Sequence, residues 1–398
     1  MGHPAIGSFR YLWGSVAWLL ALMLGLAACR PAPQPVTPAV SPQSVTLELA
    51  PPISPLPSTL SPKPTTTLVI ASPTRPPTAT EPTLKVAISP ENASRLAQIG
   101  VIRFDPWELV LTLAWSPDGD LLAVSAGNSI FLYNGSDQSL RQILEVGSWT
   151  SGLAFSPDGA LLAAGSQDGE LRLWRRPTDG QAFDTQPAVQ WTAHKKGINQ
   201  IAFSPDGFYL ASGGNDAIAR IWRVGDGGLE QQMIGGTFSV TALAFQPDGR
   251  FLAIVNGSLA RLRALETGQI GITLRGDAPL FSLAFSPDGR QIATGNLNNL
   301  LEIWETGTGE SIARLEVTSP APGASTVFTG QVVYSPDGRL LGATASDGSV
   351  RLWEPVSGQL KVTLSEHSRS ATCLAFSPDQ DLLVSGGLDG TIRIWEIR

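Results

Sequence analysis

Thr329-Gly330-Gln331-Val332-Val333-Tyr334-Ser335-Pro336-Asp337-Gly338-Arg339-Leu340-Leu341-Gly342-Ala343-Thr344 decides the fold, together with Asp347-Gly348-Ser349-Val350-Arg351-Leu352-Trp353 just after it. Residues 329–334 form a short apolar strand. Ser335-Pro336-Asp337-Gly338 is a tight turn, with Pro fixing φ at its second position and Gly accepting the left-handed region at its end. Residues 339–344 form a second strand, and Asp347-Gly348 a second turn. Ser349 to Trp353 is a third strand that alternates polar and apolar residues. A fourth strand is expected around Gln359 to Leu364. The unit is therefore four antiparallel strands joined by tight turns.

Outward from this unit, the phrase A-F-S-P-D-G recurs with small variations. Seven copies begin at Ala114, Ala154, Ala202, Ala244, Ala284, Val333 and Ala375, at steps of 40, 48, 42, 40, 49 and 42 residues. A period of this size marks one β-unit copied around a ring or along a stack. Ring closure removes the exposed edges that an open stack must cap. The expected fold is all-β, a seven-bladed propeller. Beyond Trp395 only Glu396-Ile397-Arg398 remain, so the seventh unit lacks a fourth strand. Ser94-Arg95-Leu96-Ala97-Gln98-Ile99 has strand character and no unit of its own. It is expected to complete the last blade and clasp the ring.

The third-strand endings carry a family resemblance. Leu171-Arg172-Leu173-Trp174, Ala219-Arg220-Ile221-Trp222, Leu301-Glu302-Ile303-Trp304, Val350-Arg351-Leu352-Trp353 and Ile392-Arg393-Ile394-Trp395 resemble WD40 repeats. The Asp that usually follows Trp is Glu305, Glu354 and Glu396 in three units, and Arg175 and Arg223 in two. The first unit has Tyr133 in place of Trp, and the fourth has Arg263. The resemblance covers about residues 91–398. It implies a hydrogen-bonded network of His, Ser or Thr, Asp and Trp within a blade. Two units match it fully, through His194, Ser212, Asp216 and Trp222, and through His367, Ser385, Asp389 and Trp395. Units two and six keep Asp168 with Trp174, and Asp347 with Trp353, without His. His194 and His367 are therefore expected to be structural rather than ligands or catalytic bases.

The N-terminal ninety residues read differently. Tyr11 to Ala28 is uncharged and mostly Leu, Ala, Val and Trp, long enough to cross much of a bilayer. It ends in Leu26-Ala27-Ala28-Cys29, which resembles the lipobox of bacterial lipoproteins. That resemblance implies cleavage after Ala28 and a lipid, palmitate included, on Cys29. A retained signal anchor is the alternative. Sixteen prolines then fall between Pro31 and Pro90. Proline fixes φ and removes amide donors, so this stretch is expected to be an extended stalk, about 170 Å at full reach. The expected division is 1–28 signal peptide, 29–90 lipid-anchored stalk and 91–398 propeller. The implied location is extracytoplasmic, anchored to a bacterial membrane. Cys29 and Cys373 are the two cysteines, and Cys373 sits in an apolar strand that suits a buried thiol.

Motifs for chemistry are missing. There is no nucleophile elbow, H-E-x-x-H, C-x-x-C or phosphate-binding G-x-x-x-x-G-K. Asp in S-P-D-G suits turn formation, so no metal and no cofactor are expected. Lys and Arg number 27 against 34 Asp and Glu, and no basic stripe with aromatics points to nucleic acid. The two long steps mark loop insertions, at 175–184 and 318–328, where binding surfaces often grow. Phe183 and Phe328 are the candidate partner contacts, with pinning of the loop to a blade the alternative for either. The expected function is a non-catalytic, surface-tethered protein-binding module, monomeric, with an unidentified protein partner. The alternative is an extracytoplasmic enzyme or small-ligand sensor using the central funnel.

Overall fold

The computed structural model describes residues 85–105, 108–178, 182–234, 236–317 and 329–398. The leader, Cys29, the stalk to residue 84 and Phe328 lie outside them. The described residues form seven four-stranded antiparallel sheets. Blade 1 consists of Val110–Trp115, Leu121–Ala126, Ser129–Asn134 and Leu140–Glu145, lettered a to d from the ring's inside outward. Blades 2 to 6 repeat this order over 150–192, 198–234, 240–275, 280–316 and 329–364. Blade 7 takes strands a to c from Ala371–Phe376, Leu383–Gly387 and Thr391–Ile397, and its outer strand is Leu96–Arg103.

The repeated phrase is the a–b turn, and its residues close it. Ser116 Oγ lies 2.6 Å from Asp118 Oδ1 and accepts the Leu121 amide at 2.9 Å, while Asp118 accepts the Asp120 amide at 3.1 Å. Gly119 ends the turn at φ +75°. The seventh copy has Gln380 there, at φ +63°. A side chain in the left-handed region costs roughly 1 kcal/mol or more and persists only where surroundings hold it.

Packing between blades follows one rule. The aromatic residue near the end of strand c lies against strands c and d of the preceding blade. Trp174 packs with Ile130, Leu132 and Leu144; Trp353 with Leu301, Ile303 and Leu315; Trp395 with Val350, Leu352 and Leu364. Tyr133 of blade 1 packs with Ile392 and Ile394 of blade 7, which carries the rule across the closure. Small residues on strand b let the next blade approach. A Cβ on Gly213 would sit 2.5 Å from Val240, and one on Gly386 2.5 Å from Val110 of blade 1. Thr372 Oγ1 also donates to the Val110 carbonyl at 2.6 Å.

The chain entering the ring is placed differently from the sequence expectation in two respects. The outer strand of blade 7 begins at Leu96 rather than Ser94, because Ala93–Arg95 forms a 3-10 turn. Asn92, just before that turn, shapes the chain entering it by accepting the Ser89 amide at 2.7 Å and donating to the Ala87 carbonyl at 2.9 Å. The strand then runs to Arg103, paired antiparallel with Thr391–Ile397 from Leu96↔Ile397 to Arg103↔Thr391. Residues 85–90, expected to belong to the stalk, are part of the fold. Ile88 has no solvent exposure and packs among Leu340, Leu352, Leu364, Leu383 and Trp395 of blades 6 and 7. Its amide donates to the Gln380 carbonyl at 2.9 Å, and its own carbonyl accepts from Gln380 Nε2. Glu91 pairs with Arg339 of blade 6, and Arg95 Nε donates to the Arg398 carbonyl at 2.7 Å. Apolar burial outweighs the extended preference of the proline-rich composition at this point.

Candidate functional site

Two blades hold the full polar network. His194 lies between strand d of blade 2, which ends at Thr192, and strand a of blade 3, and the b–c turn of blade 3 carries Asp216. Trp222 Nε1 donates to Ser212 Oγ at 2.9 Å. Ser212 Oγ lies 2.8 Å from His194 Nε2, and His194 Nδ1 lies 2.9 Å from Asp216 Oδ1. With the proton on Nδ1, the chain runs Trp to Ser to His to Asp with every donor matched. Arg220 adds a bond to Asp216 Oδ2 at 2.9 Å. Burial alone would raise the Asp216 carboxyl, but the bonds from His194 and Arg220 outweigh it and hold it down at about 2.

Blade 7 repeats the arrangement. Trp395 Nε1 donates to Ser385 Oγ at 3.3 Å, Ser385 lies 2.9 Å from His367 Nε2, and His367 Nδ1 lies 3.1 Å from Asp389. Asp389 also accepts Thr391 Oγ1 at 2.7 Å and the Ser368 amide at 3.0 Å. Burial opposes its ionisation, yet His367 and Thr391 hold its carboxyl well below the usual range. These histidines are placed to bind the d–a loop to the b–c turn, not to face a ligand.

Where His is missing, arginine takes part of its place. Arg172 donates to Ser166 Oγ at 2.5 Å and to Asp168 at 2.8 Å in blade 2, and Arg351 pairs with Asp347 at 2.9 Å in blade 6. Trp174 Nε1 then has no hydrogen-bond partner among the described residues, because Ala164 stands where blade 3 has Ser212. The sequence reading passed over these arginines. The recurring Asp with Arg four residues later, seen at 168/172, 216/220, 347/351 and 389/393, is the signal that exposes them.

The candidate contact residues fare unequally. Phe183 is not a surface contact. Its side chain is 3% exposed and packs with Leu132, Leu144 and Trp174 between blades 1 and 2. Gln142 of blade 1 clamps its backbone, accepting the Phe183 amide at 2.7 Å and donating to its carbonyl at 2.7 Å. A loose aromatic beside an apolar groove gains more from entering it than from water. Arg176 fixes the loop's start, reaching Asp118 at 2.5 Å and Asp120 at 3.3 Å in the a–b turn of blade 1. This insertion thus lies on the a–b turn face, away from His194 and His367.

Cys373 is buried, and burial pushes its thiol up to about 12. Among the described residues, no group of three or more His, Cys, Asp or Glu converges as a metal site. The ring, its closing strand and its polar networks define a seven-bladed β-propeller.

Comparison with known families adds the lineage. The model for the WD domain, G-beta repeat, matches residues 104–134, 138–175, 185–223, 268–305, 324–354 and 358–396, more than half of the chain. The chain belongs to the WD40 family. Each full match starts in or before an outer strand and ends at strand c of the next blade, so the sequence repeat is staggered by one strand against the blade. The matches pass over residues 224–267, which hold most of blade 4 with its Arg263. Propellers of this family commonly act as protein-interaction scaffolds and are typically non-catalytic.

Proposed function

We propose that this protein is a surface-tethered, non-catalytic module that presents its propeller to a protein partner. The observation that carries the reading is how the ring uses its reactive side chains. His194 and His367 are locked into blade networks, and the turn carboxylates bind their own serines and amides. Cys373 is buried and un-ionised at neutral pH. A rigid ring of this kind offers broad loop-bearing faces and little intrinsic chemistry. Tethering is proposed on the lipobox-like Leu26-Ala27-Ala28-Cys29 and the proline-rich segment after it. Multiple acyl chains on Cys29 give durable anchoring, where one chain binds only marginally. The bacterial, extracytoplasmic setting and a monomeric ring belong to the same proposal.

The test is cross-linking on intact cells followed by capture of the full-length chain. A reproducible protein partner, together with release of the Cys29→Ser variant into the soluble fraction, is the expected result. Hydrolysis of a surface polymer by the purified chain, with no partner captured, overturns the reading.

A further inference from the structure

Adjacent blades leave a groove between them at the a–b turn face, and two of these grooves invite comparison. Between blades 1 and 2, the chain fills the groove itself. Gln142 stands opposite Leu132 on the outer strand and holds the backbone of Phe183 by both ends of its amide, while the Phe ring plugs the apolar floor. Between blades 3 and 4, Gln231 stands in the matching position, opposite Ile221. Its Nε2 donates to the Leu265 carbonyl at 2.8 Å. Its Oε1 has no donor among the described residues, where the same atom of Gln142 receives a backbone amide.

Among the described residues this second groove is only partly filled, by Leu265 packed against the core between blades 3 and 4. Blade 4 joins strands c and d by the short turn after Ala264, with no counterpart of the Phe183 segment. Strand c carries Arg263 where the other interfaces have an indole or phenol, and its guanidinium turns to the Gly268 carbonyl at 3.2 Å. What remains is a cleft of about 930 Å³. Tyr209, Ile221, Phe251 and Leu265 supply its apolar walls, and Asp206, Glu230, Asp248 and Glu266 its rim. Arg250 is the one cation among the lining residues, and it is already paired with Asp248 at 2.6 Å. Glu230 is likewise paired, with Arg223 at 2.8 Å, so Asp206 and Glu266 leave the rim with a net negative charge.

We propose that this cleft takes an extended peptide segment of a partner protein, with an aromatic side chain flanked by Lys or Arg. The filled groove fixes the first half of that chemistry. A glutamine clamps an extended backbone, and an aromatic ring enters beside it. The acidic rim fixes the second half, since it favours a cation next to the ring. The chain's own stalk does not fit, because residues 30–84 contain no Phe, Tyr or Trp. The inference rests on the reading of the ring as a protein-binding module and gives that module a site and a partner chemistry.

The test is fluorescence polarisation with the full-length chain and a labelled probe peptide, Ser-Pro-Lys-Phe-Thr-Arg-Pro. Saturable binding is expected that weakens with added salt and drops at least about tenfold when the probe's Phe becomes Ala. Glu266→Lys, at an exposed position, and Gln231→Ala are each expected to weaken binding several-fold, while Gln142→Ala leaves it unchanged. A urea midpoint equal to that of the parent chain establishes that each variant is folded. Two results overturn the site: no saturable binding, or binding that neither Glu266→Lys nor Gln231→Ala alters. Either would leave the wider reading to stand or fall on the capture experiment.

Discussion

Replacing Ile88 with Ala removes three carbons from a position with no solvent exposure, walled by Leu340, Leu352, Leu364, Leu383 and Trp395. The transfer and cavity terms for such a truncation come to about 3 kcal/mol. Val86, two residues earlier in the same segment, is 49% exposed and gives a matched control. Its replacement by Ala is expected to cost less than about 0.5 kcal/mol. Unfolding in urea, followed by fluorescence of the tryptophans buried between blades, reads the difference directly. With a slope of about 3 kcal/mol per molar, the Ile88→Ala midpoint falls by about 1 M and that of Val86→Ala stays within about 0.2 M. The backbone bonds between residue 88 and Gln380 survive in both variants, so the contrast isolates the apolar plug. Equal midpoints would refute the idea that residues 85–95 hold the ring closed. So would equal melts for a chain lacking 91–100 and one trimmed only within the stalk.

The blade networks should be costly to break. Asp216→Ala leaves His194 and Arg220 facing a vacated site and is expected to lower stability by about 2–4 kcal/mol in thermal unfolding, whereas Lys195→Ala on the adjoining loop should change it little. The same carboxylate gives a pH dependence of definite sign. Its folded value of about 2 lies below the ordinary 3.8, so its contribution of about 2 kcal/mol is complete above pH 4. The contribution is lost as pH falls from about 4 to about 2, and the stability curves of the parent and Asp216→Asn should converge there. Cys373 should resist alkylation at pH 8 in the folded protein and react within minutes in 8 M urea; fast labelling of the native chain would contradict its burial.

The turns made most of this fold legible. Pro at the second position in all seven turns, and Gly at the fourth in six of them, announce the hairpins, and the Leu-x-Leu-Trp endings announce the third strands. The His, Ser, Asp and Trp sets of blades 3 and 7 were equally readable, because each member sits at a fixed offset from its turn. What escaped was whatever depends on a contact between blades. Ile88 is a lone apolar residue in a proline-rich run, and nothing local says that blades 6 and 7 leave a hole of its shape. Phe183 could be read from sequence either as a partner contact or as a pin for its long loop, and only the clamp from a glutamine more than forty residues earlier decides for the pin. Gln380 looks like a lapse in the turn motif. In the folded ring its side chain ties the entering segment to blade 7 and accepts the Asp337 amide of blade 6 at 3.2 Å.

The placement of that entering segment has a mechanical side. Any pull on the chain before Lys85 reaches the ring at its seam, because residues 85–95 and then the closing strand are the first parts of the fold along that path. Tension meets the ion pairs of Lys85 with Asp379 and Asp381 first, then the buried Ile88, and only afterwards the ladder from Leu96 to Arg103. The exposed ion pairs yield at low load, so the isoleucine acts as the stop that keeps force off the hydrogen bonds. If it slips, the ladder peels from its Leu96 end and the ring opens at blade 7 as a whole. Under the proposed tether, such a load is therefore borne by the buried Ile88 and its bonds to Gln380, upstream of the first strand.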